Sequence, residues 1–153
     1  MEVTGGIDNE LQQDEIQEKS KIISMVDEVP KRRPFHYWKV GDRELRLKLK
    51  SGMIEKVESK YRQNIMTLMT EGDGIPPLSY MLTVLQAAAV PWEHDISYNK
   101  IQNLYDKWMD EEGGSQMKLY TEIIMPTLAV SGFFTDAQAA SLMENMKDID
   151  SLV

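Results

Sequence analysis

Few residues in this chain have the type and spacing to do chemistry. Of 153 residues two are histidines, His36 and His94, and none is a cysteine. The missing thiols exclude disulfides, thiolate zinc sites and Cys-ligated iron–sulfur clusters together. Neither histidine has a second one three or four residues away, the spacing that lets one helix face grip zinc. His94 stands in Trp92-Glu93-His94-Asp95, which reads as a solvated polar loop before a helix, with weak cation binding as the alternative. Glu71-Gly72-Asp73-Gly74 lacks the spaced oxygen ligands of a calcium loop. Asp148 and Asp150 are paired carboxylates, but acid–base work needs a cleft that separates their pKa values, and the tail offers none. There is no nucleophile elbow, phosphate loop or dinucleotide fingerprint. The expectation is a protein that is not an enzyme, needs no cofactor or metal, and acts by binding.

Charge is segregated along the chain. Residues 1–30 hold 8 acids and 2 bases, residues 31–65 hold 11 bases and 4 acids, and residues 66–153 hold 13 acids and 4 bases. A basic middle suits phosphate, the protein's own acidic parts, or an acidic partner. The first option makes the chain a nucleic-acid-binding regulator using Lys31, Arg32, Arg33, Arg43, Arg46 and Lys48, with steeply salt-dependent binding. The acidic flanks would repel a polyanion, so nucleic acid is not the expected partner.

The elements that must position any site follow from periodicity. Residues 1–34 form a polar arm. Asn9 to Val29 is either disordered or a thin amphipathic helix carrying Leu11, Ile16, Ile23 and Val26. Pro30 and Pro34 bracket a basic linker. From 35 to 50, Gly41-Asp42 separates an aromatic run from one in which Leu45, Leu47 and Leu49 alternate with Arg46, Lys48 and Lys50, a β-hairpin pattern.

Residues 51–150 read as helices. Ser51 caps the first, with Met53, Ile54, Val57 and Tyr61 on one stripe. Ile65, Leu68 and Met69 add a turn, and Pro76-Pro77 opens a helix with Leu78, Met81, Leu82, Leu85 and Ala89 inward. Ser97 caps a helix carrying Ile101, Leu104, Tyr105 and Trp108, closed by Gly113-Gly114. Ser115 starts another, which Pro126 should kink. Thr135-Asp136-Ala137-Gln138 is a capping box for the last, with Ala139, Leu142, Met143 and Met146 inward. The fold expected is mainly α: an N-terminal β-hairpin packed on a bundle of about five helices, as one globular domain over 35–153. No run of about 18 apolar residues exists to span a membrane, and the N-terminus lacks a secretory pattern. Eleven methionines serve mostly as core fillers, with Met66, Met109 and Met117 as candidates for exposure and adaptable binding.

Three segments carry a resemblance. FHYWKVGDRELRLKL, PPLSYMLTVLQAAA and ISYNKIQNLYDKWMDEEGGS, closed by SGFF at 131–134, resemble the tail assembly chaperones of long-tailed phages infecting Gram-positive bacteria. The resemblance covers about residues 35–134. It implies a viral protein of the host cytoplasm that binds the tape-measure protein, keeps it soluble during tail assembly, and is not retained in the virion. It also implies a longer frameshifted form of the chain as a partner. A minor structural tail component is the other reading within this setting. A client helix would need apolar contacts with a charged rim, for which Trp92, Trp108, Met109, Phe133 and Phe134 are candidates; ordinary core is the alternative for each, Trp108 above all. Many copies on one client would favour a homo-oligomer, with Lys31, Arg32, Arg33, Arg43 and Arg46 meeting an acidic segment of the next copy.

Overall fold

Alternation in the hairpin becomes burial. In the computed structural model, which describes residues 33–142 and 144, β1 (His36–Val40) and β2 (Arg43–Leu47) pair antiparallel, with Trp38 opposite Leu45 and Tyr37 opposite Arg46. Gly41 makes the turn at φ +60°, where only glycine escapes a side-chain penalty. Trp38, Val40, Leu45, Leu47 and Leu49 are buried, while Tyr37, Lys39, Glu44 and Arg46 face out. A two-stranded sheet has one apolar face and must cover it.

Six helices supply the cover: α1 (Ser51–Tyr61), α2 (Ile65–Thr70), α3 (Leu78–Ala89), α4 (Tyr98–Glu112), α5 (Gln116–Lys118) and α6 (Met125–Val130). The expected mainly α fold with its hairpin is the one observed. Helix α3 is apolar nearly all round, with Met81, Leu82, Val84, Leu85, Ala87, Ala88 and Ala89 buried. Such a helix belongs at the centre of a core, and α1, α2, α4 and β2 all pack on it. The Lys48 N–H donates to the Ala88 carbonyl at 3.1 Å, satisfying one of the acceptors a helix end leaves open.

Caps follow the expected chemistry with one exception. Ser97 accepts from the Lys100 N–H and Ser115 from the Lys118 N–H. Thr135 and Gln138 exchange the two hydrogen bonds of a capping box, at 3.0 and 3.2 Å, and helix follows from 136 to 142. Ser51, expected as a cap, is instead the first residue of α1. Lys50 holds the cap position in extended conformation and offers no side-chain bond there. The extended conformation ends at Lys50, so the helix starts one residue earlier than a Ser51 cap would set it.

The region read as one helix kinked by Pro126 is built differently. Between α5 and α6, Leu119–Ile124 forms a π-helical segment, and Pro126 falls in the first turn of α6. Proline is tolerated there because a first-turn N–H has no α-helical partner to lose. The wider turn thus absorbs the residue that would otherwise break the helix. Helix α6 closes on Ser131, Gly132 at φ +91° and the Phe133 N–H, which donates to the Leu128 carbonyl. Residues 1–32, Lys31 and Arg32 among them, and Met143, Met146, Asp148 and Asp150 lie outside the described residues.

Candidate functional site

His36 holds the hairpin to the π-helical segment. Pro126 brings no N–H to the Glu122 carbonyl four residues before it, and His36 Nε2 donates to that carbonyl at 2.8 Å. A carbonyl only accepts, so Nε2 carries the proton and the neutral ring is a single tautomer. Burial pushes the His36 pKa below its usual value; the Glu122 bond opposes this, and the charge of Arg33 adds to it. Nearby, Ser131 Oγ accepts from the Leu49 N–H at 2.8 Å and donates to the Thr127 carbonyl at 2.6 Å. Two polar side chains therefore fasten both ends of the hairpin to the C-terminal helices.

The basic residues of the hairpin meet acids of the same chain. Arg43 lies 3.3 Å from Asp95, which also pairs with Lys100 at 3.2 Å. The Lys100 hydrogen bond and charge, with a smaller contribution from Arg43, hold the Asp95 carboxyl below its usual range. Arg46 reaches Glu93 at 4.0 Å and the Trp92 carbonyl at 3.3 Å. The two carboxylates flanking His94 are thus engaged by cations. Among the described residues no three His, Asp or Glu side chains gather to hold a metal ion. Arg43 and Arg46, expected to serve self-association, also make these internal contacts, because the loop before α4 folds back along β2.

The aromatic candidates do not form one surface. Trp108 is buried: its ring meets Trp38 edge-on at 5.7 Å and Tyr105 at 6.1 Å. A Cβ on Gly114 would lie 2.3 Å from that ring. Trp108 is core, then, and not part of an exposed binding face. Trp92 is half-buried at the open end of the hairpin, edge-on to Phe35 at 4.8 Å, and its Nε1 donates to the Lys48 carbonyl. Phe133 and Phe134 are half-buried after α6, while Met109 and Met117 are exposed and Met66 packs against the core.

Of the candidates, Phe134 lines a groove among the described residues. Met125, Phe134, Ala137, Gln138, Ser141 and Leu142 surround about 500 Å3 of open space. Positions 134, 137, 138, 141 and 142 follow the three- and four-residue steps of one helical face. That spacing is the signal in the sequence that could have found the groove. Its apolar walls with two polar groups suit an apolar side chain or helix stripe.

The scaffold and groove define a helical domain with a hairpin buttress and an apolar cleft near its C-terminal end. The chain belongs to a family of unknown function, DUF6096, whose family model matches residues 33–152. No curated protein and no solved structure matches the chain.

Proposed function

We propose that the chain is a phage tail assembly chaperone that binds an apolar stripe of the helical tape-measure protein and keeps it soluble in the host cytoplasm. The observation that carries this reading is the resemblance of FHYWKVGDRELRLKL, the α3 sequence, the α4 block ending in Gly113-Gly114, and SGFF. The groove beside Phe134 supports it, since a helix-in-groove contact needs an apolar cleft with a few polar anchors.

Co-expression with a tape-measure protein of such a phage tests the reading. The chaperone moves that protein into the soluble fraction, and Phe134→Ser with Leu142→Ser loses the rescue. If the tape-measure protein stays insoluble, or the double variant rescues as well as the wild type, the proposal fails. Mass spectrometry of purified particles distinguishes a chaperone, absent from them, from a structural tail component.

A further inference from the structure

Three large apolar side chains are exposed among the described residues, and they lie on faces of opposite charge. Tyr37 is 46% exposed, Met109 41% and Met117 58%. Tyr37 begins an aromatic row on the outer hairpin face. Its ring lies 6.3 Å from Phe35, which lies 4.8 Å from Trp92. Arg46 sits 5.9 Å over Phe35 and Lys50 5.6 Å over Trp92, and exposed Lys39 stands two residues beyond Tyr37. Glu44 and Glu93 offset only part of this positive charge.

Met109 lies in the opposite setting. Asp106, Asp110, Glu111 and Glu112 surround it in the last turns of α4, all exposed, and Met117 follows on α5. Among the described residues Asp106, Asp110 and Glu111 form no ion pair. Carboxylates at a helix C-terminus oppose its dipole, so helix stability does not account for them. Nor does the core, which is complete on the other side of α4 through Ile101, Tyr105 and Trp108.

We propose that copies of this chain associate by docking the acidic methionine end of α4–α5 of one copy onto the cationic aromatic row of the next. Each face supplies what the other lacks. Thioethers pack well on aromatic rings, and the carboxylates around Met109 meet Lys39, Arg46 and Lys50. The contact joins unlike faces, so it closes if two copies exchange it about a twofold axis, or extends head to tail. This inference is independent of the tape-measure reading: the occupant is a second copy, and no client is required.

Sedimentation velocity of the full chain over rising salt tests it. The protein sediments above monomer mass in low salt and as a monomer near ~0.5 M, where screening falls to a few ångströms. Lys39→Glu with Lys50→Glu reverses one face; Asp106→Lys with Asp110→Lys reverses the other. Lys50 precedes a helix and Asp110 lies in the last turn of α4, so reversing them suits the dipoles, while Lys39→Glu faces Glu44 across the hairpin; thermal melts by circular dichroism verify that each variant folds. Each reversed variant alone associates at least about tenfold more weakly, and an equimolar mixture of the two regains a complex. Tyr37→Ser with Met109→Ser weakens association without changing charge. A wild type that is monomeric in low salt, a reversed variant that associates like the wild type, or a mixture that regains nothing overturns the proposal. So does a monomeric wild type whose hairpin face binds a single-stranded oligonucleotide, since that face then serves nucleic acid.

Discussion

Gly114→Ala is the sharpest structural test of the domain. The added methyl would stand 2.3 Å from two ring carbons of Trp108 and 2.8 Å from a third. Carbon atoms rest at about 3.5–4.0 Å, so the ring or the loop must give by more than an ångström. The ring has little room, because Trp38 and Tyr105 hold it on other sides. The loop is held as well: the N–H groups of Gly113 and Gly114 both donate to the Trp108 carbonyl. Forced overpacking of a core costs about 1–3 kcal/mol, and disturbing an aromatic pair adds about 0.5–1.5 kcal/mol. The variant should therefore lose about 2–4 kcal/mol in urea titration.

Two further glycines separate this mechanism from a general glycine effect. Gly113→Ala meets nothing within 4 Å but sits at φ +76°, so it should lose about 1–2 kcal/mol through the left-handed backbone alone. Gly52→Ala lies in α1 with open space around it, and should gain about 0.4–1 kcal/mol. Trp108→Phe shortens the ring system that Gly114 abuts, so Gly114→Ala should cost less in that background. If Gly114→Ala melts with the wild type, or costs the same beside Phe at 108, the packing described for Trp108 is wrong.

Other outcomes follow from the hairpin fastenings. His36 titrates lower when folded than when unfolded, so the unfolded chain binds more protons over that interval. Stability is then full above the unfolded pKa of about 6.5 and falls as pH drops through the lower folded value. His36→Gln, which keeps a donor but cannot titrate, should flatten the melting temperature between about pH 5 and 7; an equal slope in both proteins would show that His36 is not the group responsible. Ser131→Ala strips the Leu49 N–H of its acceptor, and an orphaned part-buried donor should cost about 1–3 kcal/mol. Hydrogen exchange checks the mechanism, because the Leu49 amide should lose protection while those of α3 keep theirs.

Much of this architecture is legible from local rules. Leu45, Leu47 and Leu49 alternate because a strand turns its side chains over every residue, and Ser97, Ser115 and Thr135 announce helix starts by a hydroxyl three residues from the N–H it accepts. What escapes such rules is made by partners far apart in the chain. Pro126 reads as a kink because periodicity cannot show that a π-helical turn will absorb it, or that His36 will reach Glu122. Arg43 and Arg46 read as available charge until the loop carrying Glu93 and Asp95 is folded against them. For Trp108 the sequence favours core over surface, and its burial against Trp38 and Tyr105 with the close approach of Gly114 bears that out. The groove is half legible: Phe134 stands out by type, but Ala137, Gln138 and Ser141 join it as walls only once 136–142 is folded as a helix.

The fastenings of the hairpin also set an order of events. His36 waits for a residue 86 positions later, Leu49 for one 82 later, and Gly41 for the Glu112 carboxylate 71 later. The first element of the domain to leave a ribosome is thus the last to be secured. Until Ser131 has emerged, the apolar faces of Trp38 and Leu47 have no complete seat, and a nascent chain stopped short of α6 holds a hairpin that cannot be locked. Contacts of this span slow folding, since the chain closes long loops before it gains the bonds that reward them. Synthesis of this domain should therefore pass through a late step, in which seating the hairpin and completing α6 are one event.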